Sequence, residues 1–263
     1  IKTNVKTLIS LYLKIKDNVG NGIYQSNTVI PIHNINSGSF ILTSGTIKKT
    51  TSTNAQAVVH NVGNSVFTMN GGKIESDVHG IVNADTAEIV INAGTINAQL
   101  NAIRDNSIAG VDENNPSIVI NGGTITATEK AAIGTYKGTA VITGGNIIGA
   151  TYGVYTTAGT TTITGGTITA VGGYLDSGEE AGIGAYIGKG LIVEGGEDII
   201  AGTLTIGSWA EGDADSPSTT VPSIEGSIEG VRHESGTFNF YDGVLIGLEN
   251  KAIIGRVTQT PAS

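Results

Sequence analysis

The chain is expected to be all-β, a single-domain right-handed parallel β-helix (β-solenoid) of about 22 residues per coil. Three observations carry that expectation. A Gly-Gly phrase recurs along the chain, a second marker alternates with it, and the composition suits stacked strands better than a globular core.

The recurring phrase is apolar, any, apolar, polar, Gly, Gly, Thr, Ile. It stands at Phe67-Thr68-Met69-Asn70-Gly71-Gly72-Lys73-Ile74, then from Ile89 to Ile96, Ile118 to Ile125, Ala140 to Ile147 and Thr161 to Ile168. Weaker copies run from Phe40 to Ile47, Leu191 to Gly196 and Phe238 to Leu245. Between them lies a Gly or Ala followed by Ile or Val: Ala57-Val58, Gly80-Ile81, Ala102-Ile103, Ala132-Ile133, Gly153-Val154, Gly182-Ile183, Gly230-Val231 and Ala252-Ile253. Nine residues lead from Gly72 to Ile81 and thirteen from Ile81 to Gly94, which sets the period and divides it into two fixed arcs. Period-2 alternation on each side of a turn, without helical spacing, is what a coil of short strands requires. Successive coils stack at roughly 4.8 Å, so nine to ten of them make a rod of about 45 Å.

The 39 Gly residues supply turns, and with only 4 Phe and 1 Trp the core must come from Ile, Val, Leu, Ala and Thr. Such β-branched and small side chains stack well on a pleated surface. No coil buries its apolar face alone, so stability is a nearest-neighbour sum and the ends need caps.

Taken in order, residues 1–39 read as an N-terminal cap and first coil or coils. Within them Gly22-Ile23 is the clear marker, and residues 2–16 fit either a short amphipathic helix or a strand. Residues 40–255 read as the β-helix, and 256–263 as a C-terminal tail. Insertions fall near 104–116, 171–180 and 197–225, the last long enough for one further coil through Leu204-Thr205-Ile206. Insertions in solenoids become loops, where function concentrates.

The formal net charge of -9 argues against duplex nucleic acid and anionic membrane as partners, since both reward clustered Lys and Arg. No apolar stretch is long enough to span a bilayer as a helix, so membrane insertion is not expected. Without cysteine there are neither disulfides nor thiolate metal sites. Opening on Ile1 with a single Met, the chain reads as a mature or trimmed piece.

The Gly-Gly pairs are expected to supply positive φ at tight corners; they precede strands, not helices, and so are not phosphate cradles. Asn70, Asn92 and Asn121 share the slot before that corner, with Thr143 and Thr164 continuing the column. Stacked amides and hydroxyls there would form a structural ladder at a turn that water reaches poorly.

Acidic residues gather in the insertions: Asp105, Asp112 and Glu113, then Asp176, Glu179 and Glu180, then Glu211, Asp213 and Asp215. The alternating Glu211, Asp213 and Asp215 offer oxygen ligands for calcium, the one cofactor the sequence suggests, although the central Gly and closing Glu of an EF-hand loop are missing. Catalytic motifs are thin. His33, His60, His79 and His233 are scattered, with no Gly-x-Ser-x-Gly or His-Glu-x-x-His phrase. Strand-phase carboxylates reduce mainly to Glu75, Glu88 and Glu194, and Arg104-Asp105 reads as a surface ion pair. Tyr136 and Tyr186 stand three places after their markers, Tyr24 and Tyr155 one place after theirs, which predicts two columns of exposed Tyr suited to glycan contact. Tyr174 and Trp209 on the insertions would add to them. Thr126 and Thr169 share a slot, but Asn97, Glu75 and Ile148 interrupt it, so no regular ice-binding Thr grid is expected.

Gly165-Gly166-Thr167-Ile168-Thr169-Ala170-Val171-Gly172-Gly173, followed by Ala181-Gly182-Ile183-Gly184, resembles the Gly-Gly-Thr-Val-Thr-Ala repeats of large secreted β-helical surface proteins of Gram-positive and gut bacteria. The segment from Glu234 to Gly243 is similar to one recurring in clostridial-type surface proteins. The resemblance covers most of residues 40–255. It implies an exported adhesin, cell-wall or appendage component and supplies no catalytic residues. The leading expectation is therefore a non-enzymatic extracellular or cell-surface protein contacting a polysaccharide or a host or cell-surface protein. Two alternatives stand beside it: a β-helix polysaccharide lyase or hydrolase, which needs a groove of three or more carboxylates with a basic residue, and a filament subunit that self-associates through uncapped coils or sheet edges.

Overall fold

The computed structural model describes residues 23–26, 30, 32–49, 57–107, 117–172, 182–188, 191–192, 199–208, 221–249 and 251–254. These residues form a parallel β-helix, and none of them is helical. Each coil contributes one short strand to each of three faces.

The first face holds strands that enter the Gly corner: Ser39–Leu42, 66–69, 88–91, Ile118–Ile120, Thr139–Ile142, Thr160–Ile163, Thr203–Ile206 and Thr237–Phe240. The second holds those that leave it: Ile23–Ser26, Thr46–Lys49, 73–76, 95–98, Thr124–Ala127, Asn146–Gly149, Thr167–Ala170, Ser223–Gly226 and Val244–Gly247. Val66–Ser76 and Glu88–Ala98 run unbroken through the corner, joining both faces into one 15-stranded sheet. The third face is a separate 9-stranded sheet: Ile32–Asn34, Val59–Asn61, Ile81–Asp85, Ile103–Ser107, Ile133–Thr135, Tyr152–Thr156, Ile183–Ile187, Glu229–His233 and Ile253–Ile254.

The corner works as the Gly pairs predict. Gly123 sits at φ +90°, and a Cβ there would lie 2.9 Å from the Gly94 carbonyl oxygen of the neighbouring coil. Only glycine meets both demands, a left-handed backbone and close approach of two chains.

Inward columns are apolar and continuous. Ile47, Ile74, Ile96, Ile125, Ile147, Ile168 and Ile224 fill one slot of the second face, and Val59, Ile81, Ile103, Ile133 and Val154 one slot of the third, all nearly inaccessible. Phe40 and Phe67 stack at 5.6 Å near one end of the first face. Full burial of each such side chain stabilises by roughly 1.5–3 kcal/mol, so the rod gains in even increments along its length.

The phrases do not all fall where they were expected. Ile23–Ser26 pairs with Thr46–Lys49, so Gly22-Ile23 precedes a second-face strand and is not a third-face marker. Tyr24 accordingly stands beside Ile47, on a different face from Tyr155. Val59 pairs with Ile81, placing that marker at Val58-Val59, one residue beyond Ala57-Val58. Leu191–Ile192 forms an antiparallel pair with Ile199–Ile200 and stays out of the stack. Thr203–Ile206 takes the slot instead, beside Thr160–Ile163, as the extra coil through Leu204 anticipates.

The outer ladder forms from Asn70 to Thr143, Asn121 donating to Asn92, Asn92 to Asn70, and Thr143 to Asn121, each at 2.8–2.9 Å, whereas Thr164 donates to the Ile142 carbonyl at 3.5 Å. The expectation that water reaches this turn poorly is overturned, because Asn70, Asn92, Asn121 and Thr143 are all exposed. They stand at the outer rim of the corner, where the chain bends away from the core.

A second ladder, inside the rod, closes the opposite corner between the third and first faces. Asn34, Asn61, Asn83 and Asp105 pair in register, each pointing inward and nearly inaccessible. Asn34 donates to Asn61 at 2.8 Å, Asn61 to Asn83 at 2.8 Å, and Asn83 to Asp105 at 3.3 Å. The same amides reach the carbonyls of Val66, Glu88 and Ala87, so the column satisfies backbone groups that the turn would otherwise leave unpaired. Asp105 is an acceptor-only terminus: Asn83 bonds one oxygen and the Ser117 hydroxyl the other, at 3.0 Å. This corrects the reading of Arg104-Asp105 as a surface ion pair. Neighbours on a strand point to opposite faces, and Asp105 points inward.

Candidate functional site

The most distinctive outward surface of the described residues lies on the third face. Val82, Arg104, Gly134, Tyr155, Tyr186 and Arg232 occupy one slot in successive coils. Gly134 leaves a notch, and Tyr136, two residues on, lies over it; a Cβ at 134 would stand 3.1 Å from the Tyr136 ring. The Arg104 guanidinium covers that ring at 5.3 Å from its centroid, while Arg104 Nε donates to Asn106. Cation over ring is favourable, more so as water is removed.

From Tyr136 the aromatics continue. Tyr136 and Tyr155 are 5.6 Å apart and tilted, Tyr155 and Tyr186 stack nearly parallel at 5.0 Å, and Tyr152 packs 5.1 Å from both. Two predicted columns are thus one cluster, because Tyr186 is the register partner of Tyr155. The cause is a two-residue displacement. Val154 pairs with Ala185, so the working marker is Gly184-Ala185 and Gly182-Ile183 only imitates it. A shift of two leaves the inward and outward sets unchanged, which is why the alternation gave no warning.

The expectation of exposed tyrosines is corrected as well. Tyr186 is 7% exposed, its ring lying over Gly188, and its hydroxyl donates to the Glu234 carboxylate at 2.7 Å. Burial, followed by that bond and the Glu234 charge, pushes its ionisation far above the usual phenol range. Burial also raises Tyr136. Tyr136, Tyr152 and Tyr155 are half-buried, so the cluster offers edges and hydroxyls to a ligand more than open ring faces. Beyond Tyr186, Arg232 is held by two 2.6 Å bonds to Glu229, whose carboxylate is itself buried.

Just before the third-face strand Ile81–Asp85, His79 is nearly inaccessible and accepts the Asn101 N–H at Nδ1. Burial first, then the charges of Arg104 and Lys130, lower its pKa to about 4, so the ring is neutral near pH 7.

Tyr174, Trp209, Glu211, Asp213 and Asp215 lie outside the described residues. Among the described residues no three His, Asp or Glu side chains gather around a metal position. Among the described carboxylates, Glu75 lies on the second face between Lys48 at 3.1 Å and Lys73 at 2.5 Å, Glu88 on the first, Glu229 on the third and Asp105 in the core. His33 and His60 stack at 5.1 Å near the start of the third face.

Arg104 and Tyr152 are the members that counting along the sequence missed. Arg104 was legible, one place after its marker like Tyr155. Tyr152 precedes its marker and joins the cluster only through lateral packing. Compared with family models, curated proteins and solved structures, the chain gives no match to any.

Proposed function

We propose that the chain is a non-enzymatic secreted or cell-surface β-helix protein, an adhesin or structural surface component, that contacts a glycan through the third-face strip. The observation supporting this is the continuous run of Arg104, Tyr136, Tyr155, Tyr152 and Tyr186 across neighbouring coils. Aromatic edges, phenolic hydroxyls and one guanidinium match a polyhydroxylated ligand, which needs apolar contact and many hydrogen bonds without a strong opposing charge. The stacked coils hold Arg104, Tyr152, Tyr155 and Tyr186 on strands and Tyr136 immediately after one, so little is spent on ordering them when a ligand binds.

The test is binding of the purified chain to a panel of soluble and insoluble polysaccharides, with product release followed in the same tubes with and without calcium. Binding without product that falls at least tenfold in Tyr155→Ala and Arg104→Ala, and persists in Tyr186→Phe, supports the reading. Product release would sink it and make the carboxylates the target. Neither binding nor release would shift the role to a protein partner, and a calcium requirement would return attention to Glu211, Asp213 and Asp215.

A further inference from the structure

The first face presents a different surface. Its outward slot carries Thr68, Val90, Val119, Val141, Thr162 and Thr205 in successive coils, each partly exposed and in register with the next. The first-face strands contain a single charged residue, Glu88, in a chain whose formal net charge is -9. The second and third faces are unlike it, carrying Lys48, Lys73, Glu75 and Glu225 on one and Arg104, Glu229 and Arg232 on the other. Neutral β-branched rows are poor at holding an ion or a charged peptide but good at excluding water against another apolar row.

Beside this neutral row runs the exposed ladder of Asn70, Asn92, Asn121 and Thr143. Its members bond to one another along the rod, so part of their hydrogen-bonding need is met without water. Covering that strip costs less desolvation than covering free amides would. The face is therefore uncharged in one row, valine at its centre and threonine at its ends, and partly self-satisfied in the other.

We propose that the first face is an interface between two copies of this chain, packed face to face around a two-fold axis near Val119. A surface corrugated at the coil spacing is matched by another with the same spacing, and a second copy supplies one. Neutrality matters equally, because elsewhere two chains of like net charge repel. Seven coils at roughly 4.8 Å and about five residues at roughly 3.3 Å give roughly 550 Å² per copy, or about 1,100 Å² in all, just above the approximate lower bound for a specific interface. The dimer is accordingly a weak one, forming in the micromolar range or above.

Val119 is the middle member of the column from Ile41 to Thr205, so a two-fold axis brings its two copies together. Sedimentation of the full chain from about 1 to about 300 µM should give a mass rising from 26.8 kDa towards twice that value. Val119→Asp, checked for folding by circular dichroism, should stay monomeric across the range, as should Val119→Lys. Mixing the two variants should restore association. Thr126→Asp, on the second face, should associate like the wild type. A wild type that stays monomeric throughout would overturn the proposal, as would Val119→Asp associating as well as Thr126→Asp, or a mixture of the charge variants that fails to associate. None of these outcomes bears on polysaccharide binding by the third face.

Discussion

Two ladders of the same side chain, one inside the rod and one outside, should respond very differently to the loss of one rung. Asn83 is inaccessible; it accepts from Asn61 at 2.8 Å and donates to the Ala87 carbonyl at 2.6 Å and to Asp105 at 3.3 Å. Asn83→Leu keeps the branched heavy-atom skeleton and opens no cavity, but strips a buried carbonyl and a buried carboxylate of a donor. An orphaned buried acceptor costs about 1–3 kcal/mol, and bonds to charged groups lie near the top of that range, so the expected loss is about 3–5 kcal/mol. Asn61 softens the loss only slightly, since its amide still reaches the Glu88 carbonyl at 2.8 Å. Asn92 also has two ladder bonds, to Asn70 and from Asn121, but both lie in water's reach. Asn92→Leu should cost under about 1 kcal/mol, because water replaces each lost partner. The assay is urea unfolding followed by far-ultraviolet circular dichroism, comparing midpoints at matched slopes. Equal shifts, or a larger one for Asn92→Leu, would refute the claim that burial and not ladder geometry sets the value of these amides.

Gly123→Ala should destabilise by about 2 kcal/mol or more, from the left-handed backbone and the approach to the Gly94 carbonyl, as read from the same urea midpoints. Arg232→Ala leaves the Glu229 carboxylate buried without its bidentate partner and should cost about 3–5 kcal/mol, whereas replacing both residues with Met should recover most of that loss. For pH, the His79 pKa falls from 6.5 unfolded to about 4 folded, so the unfolded chain takes up its proton first. The stability at stake is fully present above about pH 6.5 and is lost progressively as pH falls towards 4, reaching about 3 kcal/mol. Thermal unfolding from pH 8 to 4 should therefore fall less steeply in His79→Gln than in the wild type, and parallel curves would exclude His79 as a source of acid sensitivity.

The coil was legible because its causes are local. A glycine at φ near +90° and an inward isoleucine two residues on leave a mark in most repeats, so Gly123-Thr124-Ile125 announces a corner. The interior ladder was equally present, since Asn34, Asn61, Asn83 and Asp105 each stand two places after Ile32, Val59, Ile81 and Ile103. It was overlooked because a polar residue in an apolar alternation suggests the surface until its partner coils are known. Asp105 misled further, being adjacent in sequence to an arginine from which strand geometry separates it. Leu191 to Gly196 misled in the opposite sense: it has the composition of a coil, but the parallel slot is filled by Thr203–Ile206, which matches Thr160–Ile163 residue for residue.

The tyrosine cluster depends on a kind of information that a single strand does not carry. Inward or outward is decided within a strand by parity, and a displacement of two residues preserves it. Which residue lies beside which is decided between coils, by how much chain each corner consumes. The register moves from Gly182-Ile183 to Gly184-Ala185 while Ile183 and Ile187 both remain inward. Tyr186 thereby leaves the slot three places after its marker, where it would have matched Tyr136, and stacks on Tyr155. Deleting two residues from the segment 173–181 tests whether that corner sets the register. If its length does, the deletion should draw Ile183 beside Val154, separate Tyr186 from Tyr155 and release the Glu234 bond, visible as a gain in tyrosine exposure with the coil signal of the far-ultraviolet spectrum retained. If the stacked rings and the Glu234 bond fix the register themselves, the corner will strain and the tyrosine signal will not change.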